Sequence, residues 1–474
     1  MGQISSAPVE LIRVQRCGGA GWRGAAAEMQ GWRADHEDAH FVADGGEDGT
    51  SLFGVLDGHG GRAAAREAAH DRLPAALRRA TAAGGALDEA AVTAAFVETD
   101  AWLRTVPAVQ RDQSGTTCVV AGLRRRPQEA GAGAPTWDAW VANAGDSRGL
   151  LFRPGAGGAE TLVASEDHKP DRPDELARIA RAAAQRSDRR GASVAGAARA
   201  RRGGGARDAP TDSARRRAGG FVSDADAARR PAAAPPAVAR LDGNLAVSRG
   251  LGDFAYKADG RLAPGDQKVS CAPEFYGAEL RAGDLLILAC DGVFDVMSNE
   301  GLCRAVAAAL DGGADVGDVC ARVLGACLRD LHSKDNMTLL VVQVGVDGAA
   351  YGRAPDEIAG LELYAHQTDE AVRRAYLGFL RYCADTGGLP PPARELLDAD
   401  GAPPAPPIDA PADSSAPPPA AAGGAADAPA TADRKKKKVR LPRPARCLHI
   451  RARNGRLTGP WFSFVVVSVV GGPR

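Results

Sequence analysis

Twice in this chain a short apolar run ends on Asp-Gly. Leu52 to Leu56 leads into Asp57-Gly58-His59-Gly60-Gly61, and Leu285 to Cys290 leads into Asp291-Gly292, with Asp295 one turn on. Short apolar runs bounded by turn residues read as buried strands. A strand is rigid, so a carboxylate at its end can be aimed into a shared cleft. The glycines beside Asp57 let the backbone turn sharply and expose a main-chain carbonyl next to the carboxylate. Two more acidic motifs border apolar strands: Arg33-Ala34-Asp35-His36-Glu37-Asp38, and Asp335-Asn336 just before Met337 to Val344.

Carboxylates and carbonyls without clustered His or Cys are hard oxygen donors, suited to Mg²⁺ or Mn²⁺ and poorly suited to zinc or copper. Two such ions can share a bridging water, lower its pKa and present a hydroxide in line with a phosphoryl or acyl centre. A nearby Arg orients an anionic substrate bidentately. Taken singly, each motif has a plainer reading: Asp-Gly is ordinarily a turn, His59 a polar residue and Arg33 a surface cation. On the residues alone, a metal site and a set of turns stand level.

The rest of the chain places these motifs in an α/β region. Between residues 22 and 178, strand-like runs (Leu52 to Leu56, Cys118 to Ala121, Trp140 to Ala142) alternate with Ala-rich helical stretches at about 62–80 and 86–104. Further on, 284–289 reads as a buried strand, 299–310 and 315–332 as helices, and 337–344 as a closing strand. Ile358, Leu361, Leu363, Val372, Tyr376, Phe379 and Leu380 suggest a further helical segment over 350–396, with no target face evident. Low complexity is regional. Residues 180–217 hold eleven Arg, three Asp and no aromatic residue, and 225–239 is an Ala/Pro stretch. Residues 397–474 are a Pro/Ala linker with a basic run, Arg434 to Arg440, and read as disordered.

Lys plus Arg and Asp plus Glu are 59 each, so no global charge draws the chain to nucleic acid or anionic lipid. Nine Cys without a C-x-x-C pair and no apolar leader point to a reducing, intracellular setting without a disulfide framework or zinc ribbon. The longest apolar run, Phe462 to Val470, is too short to cross a bilayer.

Taken in order, the motifs carry more than they do singly. Met29-Gln30-Gly31-Trp32-Arg33 with Glu37-Asp38-Ala39-His40, then Phe53 to Gly61, Ser114-Gly115-Thr116-Thr117, Ala142 to Arg148, and Asp167-His168-Lys169-Pro170 come first. Asn244 to Asp253, Leu288 to Met297 and Asp335-Asn336-Met337-Thr338 complete the series. Together they resemble the signature blocks of the metal-dependent protein serine/threonine phosphatases of type 2C, over about residues 21–346.

The resemblance implies an α+β fold: a four-layer α-β-β-α sandwich of two antiparallel sheets flanked by helices, with a disordered insertion in the flap and a disordered C-terminal tail. It implies two Mg²⁺ or Mn²⁺ ions. Asp57 would bridge them, the Gly58 carbonyl, Asp291 and Asp335 would complete the inner ligands, and Glu37 and Asp38 would hold metal-bound waters. Arg33 would grip the substrate phosphate and His59 would protonate the departing Ser or Thr oxygen. Asp146 and Asp295 match positions that can hold a weaker third ion. The implied reaction is hydrolysis of phosphoserine and phosphothreonine in proteins by direct attack of the bridging hydroxide, without a phosphoenzyme. Ser114 to Thr117 and Leu245 to Asp253 read as structural, with no catalytic role for Arg249 or Asp253.

Two departures stand out. His36 takes a position that is usually apolar, and 180–217 falls in the flap, separating Arg178-Ile179 from Ala218-Gly219-Gly220. That insert is either a real basic extension that recruits acidic or phosphorylated substrates, or translated intervening sequence. It also raises the alternative of a catalytically impaired scaffold of the same fold. Residues 1–20 are set apart as an N-terminal segment, since Met1-Gly2-Gln3-Ile4-Ser5-Ser6 matches a myristoylation pattern. Phosphoproteins are the expected partners of a cytoplasmic monomer without a nucleic-acid partner. The acyl group and the basic run would allow peripheral membrane contact, and the run alone a nuclear location. The domain expected between these ends is 21–347.

Overall fold

A computed structural model describes residues 4–45, 49–82, 87–127, 133–155, 158–184, 239–353 and 355–400. Its first sheet is built on a long hairpin, β1 (Ile4–Gly19) and β2 (Trp22–Arg33), turned at Gly21 with φ +77°. Around it stand β9 (Arg148–Gly155), β10 (Gly158–Ala164), β13 (Leu285–Ala289), β14 (Met337–Val344) and β15 (Glu357–Ala359), in the order β10-β9-β13-β14-β2-β1-β15. The second sheet contains β3 (Ala39–Ala43), β4 (Ser51–Leu56), β7 (Cys118–Arg125), β8 (Thr136–Ala144) and β12 (Glu274–Arg281), in the order β12-β8-β7-β4-β3. Every pairing within both sheets is antiparallel. A small third sheet joins β5 (Gly58–His59), β6 (Gly115–Thr116) and β11 (Leu251–Gly252).

The unbroken apolar runs follow from burial on both faces, since successive side chains of a strand point to opposite sides. In β13, Leu286, Leu288 and the following Cys290 join Phe53, Val55, Val119, Val141, Leu340 and Val342 in the layer between the sheets. The alternate residues Leu285, Ile287 and Ala289 face helices α7 (Asn299–Asp311) and α8 (Val316–Arg329) through Leu302, Val306, Val319 and Val323. On the other side, Leu52 and Leu56 of β4 meet α1 (Ala63–Glu67), α2 (Leu73–Thr81) and α3 (Glu89–Leu103) through Ala64, Leu73, Leu77 and Phe96. Helix, sheet, sheet and helix thus stack as the expected sandwich, and each fully buried Leu or Val contributes about 1.5–3 kcal/mol. Ser298 and Asp315 cap α7 and α8 by accepting from the backbone N–H of Gly301 and Gly317. The remaining helices are α4 (Pro107–Asp112), α5 (173–184), α6 (Asp291–Phe294), α9 (Leu361–Ala365), α10 (Glu370–Thr386) and α11 (Pro391–Asp400).

Three boundaries differ from the sequence reading. The segment set apart as 1–20 is strand β1 from Ile4 onward, inside the first sheet. Register shifts between Ile4, Val9 and Ile12 break its alternation, which hid the strand. Residues 180–184 continue α5 and do not begin the insert. Residues 397–400 close α11 and do not begin the linker. Gly2, the rest of 180–217, nearly all of 225–239 and the basic run 434–440 lie outside the described residues. Among the described residues no helix is long and apolar enough to cross a membrane.

Candidate metal centre and active site

The acidic motifs converge at one end of the sandwich because each lies at a strand end. Asp57 links β4 to β5, Asp291 opens α6 directly after β13, and Asp335 precedes β14. The loop carrying Glu37 and Asp38 joins β2 to β3 and is pinned by Asn336. The Asn336 Nδ2 donates to the carbonyls of Gln30 at 2.8 Å and Asp35 at 3.1 Å, and its Oδ1 accepts from the Glu37 N–H at 2.9 Å. Two glycines permit this approach. A Cβ on Gly58 would lie 2.2 Å from the Glu37 carbonyl oxygen, and one on Gly292 1.9 Å from that of Asn336.

Electrostatics set this cluster apart from ordinary turns. Asp38 is buried; its Oδ2 accepts from the Thr338 hydroxyl at 2.7 Å, and its Oδ1 has no hydrogen-bond partner. Donor atoms of Asp38, Asp57 and Cys290 lie within 4.8 Å of one another. Burial, with the neighbouring carboxylates of Asp335 and Asp291, pushes the Asp38 carboxyl up to about 8 despite the Thr338 hydrogen bond. Burial raises Asp57 and Asp291 well above the carboxylate range; repulsion from Asp38, Asp335 and Asp146 adds to it at Asp57, and repulsion from Asp57, Asp146 and Asp335 adds to it at Asp291. Glu37 and Asp295 are raised as well, by burial first.

Cations answer only part of this charge. Arg33, 28% exposed, pairs with Asp335, and Lys169 pairs with Asp146. Asp38, Asp57 and Asp291 have no ion-pair partner among the described residues. Buried carboxylates without counter-charge are costly, and bound cations are a standard remedy. An orphaned buried Oδ1 amid oxygen donors fits a hard divalent ion. Cys290 is the one soft atom there, and burial holds its thiol well above the ordinary value and therefore protonated.

His59 stands beside the cluster, 30% exposed, with Nε2 2.8 Å from Asp253 Oδ2. Burial works to lower the imidazole pKa, but the Asp253 carboxylate outweighs it and holds the ring above its ordinary value. Asp253, read from sequence as structural, therefore belongs to the site. It adopts φ +52°, and a Cβ on Gly115 would lie 2.1 Å from its carboxylate. No local pattern links residues 194 positions apart, so only the fold could reveal this pair. Asn336, Lys169 and Cys290 were likewise absent from the residues expected to form the site.

Residues 22–202 and 216–337 match the family model described as Protein phosphatase 2C. The chain belongs to the protein phosphatase 2C family. It is 31% identical over 342 residues to protein phosphatase 1B of Homo sapiens, covering 68% of this chain and 57% of that protein. It is 31% identical over 337 residues to protein phosphatase 1A of Homo sapiens, covering 68% of this chain and 71% of that one. The aligned region thus spans little more than half the length of the first relative. Among solved structures, a phosphatase from Toxoplasma gondii superposes with a TM-score of 0.52 at 22% identity, covering 73% of this chain and 98% of that chain. That likeness shows the fold.

In this phosphatase 2C domain the flap leaves the site on α5, and its base is an ionic knot. Buried Arg178 donates to the carbonyls of Ser248 at 2.8 Å and Lys268 at 3.2 Å, to that of Gln267, and to Glu175. Glu175 also accepts from the Ser248 hydroxyl and, at 3.0 Å, from Arg249 Nε. The chain is therefore tied to the same knot before and after residues 185–238.

Proposed function

We propose that the chain is a metal-dependent protein phosphatase that hydrolyses phosphoserine and phosphothreonine in proteins. The observation that carries this reading is the trio of carboxylates, buried Asp38 and half-buried Asp57 and Asp291, without ion-pair partners among the described residues and with Asp38 Oδ1 unbonded. Family membership supplies the reaction class. Mg²⁺ or Mn²⁺ would be held by Asp57, the Gly58 carbonyl, Asp291 and Asp335, with Glu37 and Asp38 behind them. Asp146 and Asp295 would serve a weaker third ion, with Lys169 competing for Asp146. Bound divalent ions supply Lewis acidity and bring the pKa of water toward neutrality.

The chain's own residues do the rest. Arg33, partly exposed beside Asp335, exchanges that partner for phosphoryl oxygens and orients the ester. His59, whose imidazole pKa the Asp253 carboxylate raises, donates its proton to the departing Ser or Thr oxygen. All eight cysteines among the described residues are buried and none is poised as a thiolate nucleophile, which accords with direct attack of water on phosphorus.

The test is phosphate release from a phosphothreonine peptide by the full chain, with Mn²⁺ and with EDTA, alongside Arg33→Ala, His59→Gln and Asp253→Asn. Turnover should require Mn²⁺, fall about 10²-fold or more in His59→Gln, and fall less in Asp253→Asn. A chain that binds Mn²⁺ in calorimetry but hydrolyses no phosphopeptide would be a binding protein of this fold instead.

A further inference from the structure

The segment 350–396 reads from sequence as helical with no target, and the structure seats its helix α10 against the loop that carries the candidate ligands. Its core is a separate apolar cluster in which Tyr376, Phe379 and Leu380 of α10 pack on Val9 and Leu11 of β1. Within that cluster Tyr382, 3% exposed, points its hydroxyl at two acceptors. One is Glu28 Oε1 on β2 at 2.8 Å, and the other is the backbone carbonyl of Asp38 at 3.0 Å. From the loop side, His36 lies edge-on to Tyr382 and Phe379, with ring centroids 4.7 and 5.4 Å away. Neither ring nitrogen of His36 has a hydrogen-bond partner, and its Nε2 lies 4.0 Å from Glu28 Oε1, so the ring is held by aromatic contact and this longer approach to Glu28. The departure from an apolar residue at position 36 thus meets α10.

Helix α10 is also anchored away from the loop. Arg13 of β1 donates to Thr386 Oγ1 at 2.9 Å, to Asp356 at 2.8 Å and to Glu28 at 3.3 Å. His40 Nδ1 lies 2.7 Å from Glu28 Oε1. Glu28 is therefore a fixed post, and the single Tyr382 O–H proton is shared between it and the Asp38 carbonyl.

We propose that α10 is a positioning element of the metal centre, with Tyr382 fixing the Asp38 backbone so that its carboxylate stays aimed into the cluster. The proposal rests on the metal-site reading above. It assigns the C-terminal helices to the catalytic unit rather than to a separate appendage.

The test titrates Mn²⁺ into the full chain by calorimetry for the wild type, Tyr382→Phe and Thr386→Val, with melting temperatures alongside. Tyr382→Phe keeps the ring packing and removes only the hydroxyl. It should weaken Mn²⁺ binding about fivefold, the size of one net hydrogen bond, and leave the KM for a phosphopeptide unchanged. Thr386→Val cuts the Arg13 anchor of α10 but leaves the Tyr382 hydroxyl in place, and should lower the melting temperature with a smaller loss of Mn²⁺ affinity than Tyr382→Phe. Wild-type Mn²⁺ affinity in Tyr382→Phe overturns the proposal, whereas a wild type that binds no Mn²⁺ overturns the metal-site reading instead. If Tyr382→Phe does not fold, hydrogen exchange on the wild type decides. Mn²⁺ should slow exchange in residues 376–384, which hold no ligand, and unchanged exchange there overturns the proposal.

Discussion

Asp57 shows how a residue can be wrong for stability and right for its site. Burial, with repulsion from the carboxylates of Asp38, Asp335 and Asp146, disfavours its ionised form. Each pKa unit of such a shift is about 1.4 kcal/mol against the charge. Asp57→Asn should therefore raise the melting temperature of the chain in EDTA, while abolishing Mn²⁺ binding and phosphate release. Scanning calorimetry with and without Mn²⁺ checks both halves, and an unchanged or lowered melting temperature in EDTA counts against the electrostatic account. The sequence made Asp57 visible because Asp-Gly follows an apolar strand. It hid Asp253, whose partner His59 is distant in the chain, and Asn336, whose three bonds to the 30–37 stretch form only when β14 lies beside β2.

The flap base shows the same dependence for an element. Helix α5 is anchored through Glu175, whose carboxylate is buried against Arg178 and Arg249. Burial alone would raise its pKa, but Arg178, the Ser248 hydroxyl and Arg249 outweigh it and hold it below the ordinary 4.5. A carboxylate depressed in the folded state contributes stability that is fully present above its unfolded pKa and is lost as pH falls below it. Glu175→Gln should therefore cost about 3–5 kcal/mol near neutral pH, the scale for breaking a buried ion pair. The gap from wild type should shrink as pH drops below 4.5, the ordinary carboxyl value. Urea unfolding at pH 7 and at pH 4 measures this, and a pH-independent gap would show that shape rather than charge anchors α5. Sequence placed the flap through Arg178-Ile179, yet gave no sign that the arginine is buried, because burial here depends on acceptors from 248, 267 and 268.

For the whole molecule, a ligand that binds only the folded chain stabilises it by mass action. At a free Mn²⁺ concentration a hundred times Kd, the gain is about 2.7 kcal/mol. The melting temperature should therefore rise with Mn²⁺ in a concentration-dependent way, fall with EDTA, and not respond in Asp57→Asn. A melting temperature indifferent to Mn²⁺ in the wild type would remove the metal centre from the account. The two-sheet sandwich was expected from the resemblance that the ordered motifs carry, while the pattern of the chain itself marked the strands and the Asp-Gly turns at their ends. Unbroken apolar runs such as Leu285 to Cys290 require cover on both faces, and residues at strand ends must gather at the ends of the sheets. Tertiary structure alone decided that Ile4–Gly19 is a strand of the first sheet, that Asp253 meets His59, and that Tyr382 reaches the Asp38 backbone. These depend on one side chain satisfying another across hundreds of residues. Local pattern records which face of an element is apolar, but not which distant donor its polar atoms will find.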